Sequence, residues 1–175
     1  IGISEVILLN IIQVTNIEQD SQKTFSCEEG SLYKDTLKAA ESTARKLNIS
    51  LPMPAISPQD VAVCSENPLD NLYISVDGAV SPCVYLYPPV PSPFTRIFCG
   101  NEDLTHHVSF GNIFTEPFDE IWAKKKYRDF RNAFASRQKR WTEAYDALLE
   151  MRLPKDSPVP DPPSPCRTCH KILGL

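Results

Sequence analysis

Four of the six cysteines limit the possible folds more than any other feature of this sequence. Cys64 precedes a strong Asp-Gly hairpin signal and Cys83 follows it, so a tight turn between them brings the two close. Cys166 and Cys169 form a CxxC, whose two-residue gap lets both sulfurs point at one ion or cluster. The fold is therefore expected to gather four thiolates from distant parts of the chain.

The residue types leave open what these thiolates hold. A cubane cluster takes one cysteine per iron, and a structural zinc ion accepts the same four. Spacing does not separate a zinc site from a cluster. Disulfides in an exported protein are a third interpretation, which the CxxC and the lack of a visible signal sequence disfavour.

The first part of the chain has the pattern of a βαβ unit. Residues 5–12 form a nearly continuous aliphatic run, typical of a strand covered on both faces. A helix is predicted from Ser31 as N-cap to Leu47, with Asn48 ending it and a short strand at residues 49–51. Such a unit cannot bury both faces of its sheet, which implies that strands precede it; a self-contained small α/β domain is the alternative.

The rest of the chain mixes strands and helices. A hairpin is predicted over residues 72–86 around Asp77-Gly78, followed by a proline-rich loop and a short strand or turn at 108–113. A helix begins at Pro117 and is either sandwiched between layers or broken at the lysine run 124–126, which is interpreted as a solvated face. A further helix covers residues 141–149 and stops by Pro154, and 154–165 is a proline-rich connector.

Charge and hydropathy exclude several classes of protein. The 18 basic and 22 acidic residues give a net charge of −4, which argues against a nucleic-acid partner. The longest apolar run is far shorter than the roughly 20 residues that cross a bilayer, so no membrane association is expected. The chain starts without methionine or a leader, so it is interpreted as a piece of a longer protein, and we expect it in the cytoplasm.

Five features occur in an order that resembles the SPASM domain of radical S-adenosylmethionine (SAM) enzymes, over about residues 64 to 170. They are Cys64-x13-Gly78-x4-Cys83, Gly111-Asn112-Ile113, Phe118-Asp119-Glu120-Ile121-Trp122, Tyr127-Arg128-Asp129-Phe130-Arg131 and Pro165-Cys166-Arg167-Thr168-Cys169. The ordered set is far more specific than an isolated CxxC.

The resemblance implies an auxiliary [4Fe-4S] cluster held by Cys64, Cys83, Cys166 and Cys169. It also implies an α+β architecture: residues 1–54 as the terminal βα units of a partial (β/α) barrel, and residues 55–175 as a small SPASM-like domain of a β-hairpin and helices around the four-cysteine site. The expected partners are a preceding radical SAM barrel half, a peptide or protein substrate and an electron donor. Cys99 stands alone between the ligand cysteines, which matches one-cluster members.

The sequence also departs from the family. The CxxxCxxC that binds the SAM-cleaving cluster is absent, so SAM and a second [4Fe-4S] cluster are expected only in a full-length protein, and this chain alone should be inactive. The loops at 84–107 and 135–165 are long. The rival hypothesis is a non-catalytic zinc module that uses the same four cysteines.

The remaining candidate residues have weaker interpretations. Cys27 lies in the loop after the first strand and either lines a substrate pocket or is incidental, the latter being favoured, while Cys99 could supplement the ligands. His106 and His107 are neighbours that point apart and are interpreted as polar surface. His170 follows Cys169 and lies either in the outer shell of a cluster or in solvent.

Overall fold

The computed structural model describes residues 2–27, 33–152 and 158–175. The helices are α1 (Ile17–Ser21), α2 (Lys34–Leu47), α3 (Phe118–Ala123) and α4 (Lys125–Leu149), and the strands are β1 (Tyr73–Ile74), β2 (Ala79–Ser81), β3 (Phe94–Phe98), β4 (Asn101–Thr105) and β5 (Gly111–Asn112). Short 3-10 turns occur at Val84–Leu86, Ser164–Cys166 and His170–Leu173. The chain is a mixed α/β protein with small sheets.

A three-stranded antiparallel sheet in the order β1-β2-β5 contains the predicted hairpin. Its turn requires Gly78, which has a φ of 82°, and a Cβ there would lie 2.5 Å from the Asn112 Oδ1 and 2.6 Å from the Phe114 ring. Asp77 is a turn residue, as predicted, and accepts hydrogen bonds from the Ser75 and Tyr87 hydroxyls. The Ser75 contact lowers the pKa of Asp77.

The hairpin β3–β4 forms inside the segment that the sequence predicted to be an irregular loop. Its strands pair from Phe94↔Thr105 to Phe98↔Asn101 around the two-residue turn Cys99-Gly100. Both turn residues have positive φ, 52° and 76°, the conformation for which Asn-Gly is the usual signal. Because a cysteine occupies the first turn position, the sequence carries no such signal.

The N-terminal βαβ unit is only partly present. Helix α2 and its end at Asn48, which has a φ of 55°, are confirmed; the predicted N-cap Ser31 lies outside the described residues. The strand predicted over 5–12 is wrong as a regular element, since one parallel bridge, Glu5↔Ser50, is what forms. A strand of a parallel sheet is normally covered on both faces, but this segment has one bridge to Ser50 and little packed over it, so Leu9 remains 82% exposed. The partial barrel stays a prediction.

The helical region breaks at Lys124, where a ψ of 138° separates α3 from α4. Of the two predicted alternatives, one continuous helix sandwiched between layers or a helix broken at the lysine run, the structure shows the broken helix. Lys125 and Lys126 are exposed, as predicted for the lysine run, whereas Lys124 is half-buried, because its Nζ donates to the Phe110 carbonyl at 3.0 Å and pairs with Glu116 at 2.5 Å. Residues 141–149 belong to the single long helix α4, which ends at Leu149; Pro154 lies outside the described residues.

Residues 14–27 pack against hairpin β3–β4, across the expected boundary at position 54. The Ile97 amide donates to the Val14 carbonyl at 2.9 Å, and Val14 is fully buried. The Phe25 ring stacks on Phe98 with centroids 5.9 Å apart. Among the described helices, none combines the length and apolar character that crossing a bilayer requires.

Candidate metal centre

Local turns present the four candidate ligands. Cys64 begins a turn in which its carbonyl accepts the Asn67 amide at 2.9 Å. Cys83 directly follows the β2 region, and its carbonyl accepts from the Ser81 hydroxyl at 3.0 Å. In the CxxC the Cys169 amide donates to the Cys166 carbonyl at 3.0 Å, so the motif is one tight turn.

All four cysteines are unpaired and pack on one apolar core. Cys166 is buried within that core, and Cys64, Cys83 and Cys169 are partly buried against it. The core residues around them are Leu86, Phe130, Phe134 and Ile172. The four residues singled out from the sequence thus share one apolar core.

Burial makes three of the four thiols, those of Cys64, Cys83 and Cys166, difficult to ionise. It raises the pKa of Cys83 to about 12 and is also the main cause of the raised pKa of Cys64 and Cys166. Mutual repulsion adds to this effect, since Cys169 contributes to the rise at each of the three. Four thiolates packed on one apolar core are stable together only with positive charge among them, and bound iron or zinc ions supply that charge. The donor set therefore fits an iron-sulfur cluster.

A single metal ion is a separate question. Within the described residues, no three His, Cys, Asp or Glu side chains are arranged to hold one ion. In a cubane, by contrast, each cysteine binds its own iron rather than a shared centre. The assignment of the four ligands stays a prediction.

The family model of SPASM, described as an iron-sulfur cluster-binding domain, matches residues 64–170, more than half of the chain. The chain belongs to the SPASM family. The match spans the four cysteines and confirms the resemblance seen in the sequence. No curated protein and no solved structure matches the chain significantly.

His170 is buried in the folded SPASM domain, so the prediction that it lies in solvent is wrong. Its side chain is 0% exposed and meets the rings of Phe25 and Phe98 edge-on, at centroid distances of 5.6 and 5.1 Å. Among the described residues, neither ring nitrogen has a hydrogen-bond partner. Burial, and secondarily the charge of Arg96, lower the pKa of His170 to about 4, so the buried ring is neutral.

Cys27 and Cys99 are joined in a disulfide with a Cα–Cα distance of 6.0 Å. This corrects both sequence interpretations, because Cys27 is not incidental and Cys99 is not available as an additional ligand. A sequence signal did exist: once four cysteines are assigned to a cluster, two remain, and two can pair. Their proximity depends on the unpredicted hairpin β3–β4.

The two other histidines lie apart from the cysteines. His106 is exposed, as predicted. His107 is half-buried between Tyr87 and Phe94, with ring centroids 4.4 and 5.8 Å away, so the surface interpretation is wrong for this residue. It packs there as an aromatic ring.

A surface cavity of about 330 Å³ adjoins the cysteine group. Cys83 is part of its wall, together with residues that flank Cys64 and with β1. The remaining lining residues are Ser65, Glu66, Asn71, Leu72, Tyr73, Pro82 and Val84. Polar side chains thus stand beside a candidate ligand on an open face of the SPASM domain.

Proposed function

We propose that this SPASM domain holds one auxiliary [4Fe-4S] cluster through Cys64, Cys83, Cys166 and Cys169. The observation that carries the proposal is the packing of these four unpaired cysteines on a single core within the family match. The remaining two cysteines are bonded to each other, which leaves four thiols for four irons.

The surroundings support a redox role. When bound, such a cluster supplies one-electron oxidation and reduction, at a potential set by burial, nearby charge and hydrogen bonds to sulfur. Phe130 and Phe134 of α4 and Leu86 exclude water from one side of the cysteine group. Cys166 is 8% exposed and Cys83 is partly exposed at a cavity, so the group is shielded on one side and accessible on the other.

We further propose that the domain works within a radical SAM oxidoreductase or maturase in the cytoplasm. A SAM-binding barrel half would carry the second cluster and the SAM chemistry, and an electron donor would serve the auxiliary cluster. A peptide or protein is the proposed substrate class. The resemblance to peptide-modifying members of the family supports this class, and the cavity beside Cys83, lined by Glu66, Asn71 and apolar residues, is a place where such a substrate could bind.

The test is anaerobic reconstitution with iron and sulfide, followed by analysis of both elements. We expect about four iron and four sulfide per chain, and loss of both in a Cys166→Ala, Cys169→Ala variant. A Cys27→Ser, Cys99→Ser variant is the matched control: it also removes two sulfurs, but should keep the full cluster.

The same experiment tests the rival hypothesis. Stoichiometric zinc, with no cluster formed under reconstitution, would make the four cysteines a structural zinc site and would overturn the proposal. Equal loss of iron in both double variants, with the Cys27→Ser, Cys99→Ser variant shown to be folded by circular dichroism, would show that the ligand assignment is wrong.

A further inference from the structure

Two arginines of this domain are buried to the same extent but have different partners. Arg96 of β3 and Arg137 of α4 are each 1% exposed. Arg137 forms an ion pair with Asp60, with nitrogen–oxygen distances of 2.7 and 2.9 Å. Arg96 contacts no carboxylate among the described residues; its guanidinium donates to two main-chain carbonyls and lies 5.7 Å from the centroid of the Phe94 ring.

The two carbonyls that Arg96 contacts belong to the segments that carry cysteines. One nitrogen donates at 2.9 Å to Pro165, the residue before Cys166. The other donates at 3.0 Å to Tyr85, two residues after Cys83. The guanidinium therefore joins the segment of Cys83 to the segment of the CxxC, and its charge lies near Cys166, whose pKa it lowers.

A buried cation without an anion is costly, because carbonyl oxygens supply only partial negative charge. A cubane with four thiolate ligands is negatively charged overall, and the cysteine group is beside Arg96. Asp20, the carboxylate that interacts with the neighbouring His170, is already paired with Lys23 at 2.9 Å. Asp103, the cross-strand neighbour of Arg96, accepts from the Thr168 hydroxyl at 2.8 Å and forms no ion pair with Arg96 within the described residues. The ligated cluster would place further negative charge beside the guanidinium.

We infer that Arg96 is a positioning residue of the cluster site, which holds the two cysteine segments together and, through its charge, raises the reduction potential of the bound cluster. Reduction adds an electron to an already negative group, so a nearby cation stabilises the reduced form more than the oxidised form. This inference rests on the proposed cluster. Arg96 lies in the long 84–107 segment, on a hairpin that carries none of the four candidate ligands.

The test compares two variants that keep a hydrogen-bond donor and differ in charge. Arg96→Gln removes the charge and Arg96→Lys retains it, although neither preserves the two-armed contact. Redox titration of the reconstituted cluster, followed by its visible absorbance and its paramagnetic resonance signal, gives the midpoint potential. We expect a lower potential for Arg96→Gln and little change for Arg96→Lys.

Arg137→Gln is the control, since it removes an equally buried guanidinium whose charge already has a carboxylate partner. It should lower stability without lowering the potential. If Arg96→Gln loses the cluster while Arg96→Lys keeps it, the charge is needed to hold the anion, and the inference stands.

Two outcomes would overturn it: an unchanged potential in Arg96→Gln, or equal shifts in both Arg96 variants. Loss of the cluster from both variants would support the holding role of the two-armed contact and overturn the role of the charge. Failure of the unmodified protein to take up iron and sulfide is a different result, because it would remove the proposed cluster itself. The two failures are therefore distinguishable.

Discussion

Breaking the Cys27–Cys99 disulfide should cost substantial stability, because the bond spans a long stretch of chain. The two cysteines are 72 positions apart. A cross-link over a loop of this length lowers the entropy of the unfolded chain by an amount worth about 4 kcal/mol, with a range of about 2–5 kcal/mol for native disulfides. Cys27→Ser is the direct perturbation, since Cys27 is exposed and its replacement leaves little packing to lose.

The assay is urea denaturation of the oxidised protein, with the midpoint of unfolding compared among Cys27→Ser, Cys99→Ser and the double variant. One bond can be lost only once, so the double variant should be destabilised about as much as Cys27→Ser alone. Cys99→Asn is an informative fourth variant. Asn tolerates the positive φ of 52° at this turn better than other residues, so this change should recover part of the loss.

The result that would refute the reasoning is additivity: if the two single losses sum in the double variant, each residue contributes by itself and no bond links them. Full alkylation of both thiols in the folded, unreduced protein would lead to the same conclusion.

Three further predictions follow from single contacts. Gly78→Ala should destabilise the folded protein by about 1–2 kcal/mol or more, because the backbone there is left-handed and a Cβ would lie 2.5 Å from the Asn112 Oδ1. Thermal unfolding of the variant measures this loss. Arg137→Gln should lower the free energy of unfolding by about 3 kcal/mol, since several acceptors lose their donor. Asp60→Asn should lower it less, because Asp60 is half exposed. Denaturant midpoints of the two variants measure the difference, and equal losses of stability would contradict this reasoning. Burial raises the pKa of Tyr127 from 10.0 to about 12. The neutral phenol therefore contributes its full stability below pH 10, and this contribution is lost as the pH rises towards about 12. Over this pH range, the unfolding midpoint of Tyr127→Phe should fall less than that of the unmodified protein.

Local signals in the sequence were sufficient for the hairpin that precedes Cys83. The Asp-Gly pair specifies a hairpin because only a residue without a Cβ fits at Gly78. The CxxC specifies a tight turn by its spacing alone. Long-range packing then brings the two halves together, and for that the sequence offered only the ordered motifs of the family.

The hairpin β3–β4 could not be predicted, for a physical reason. The sequence of β4, Asn-Glu-Asp-Leu-Thr, is rich in residues that are depleted in strands, and its pairing with β3 stabilises it regardless. Without that hairpin neither the Cys27–Cys99 bond nor the burial of Arg96 can be inferred. Conversely, the run 5–12 has strong strand propensity but only one short neighbour, so propensity alone overpredicted it.

Main-chain hydrogen bonds fasten the beginning of the cysteine-bearing region to its end. The Gln59 amide donates to the Leu173 carbonyl at 2.8 Å, and the Val61 amide donates to the Ile172 carbonyl at 3.0 Å. Because a ribosome delivers the chain from its amino end, Cys64 and Cys83 emerge long before the 3-10 turn at His170–Leu173 to which their segment is bonded. For the proposed cluster, the complete set of four ligands would therefore exist only after the CxxC segment has been synthesised.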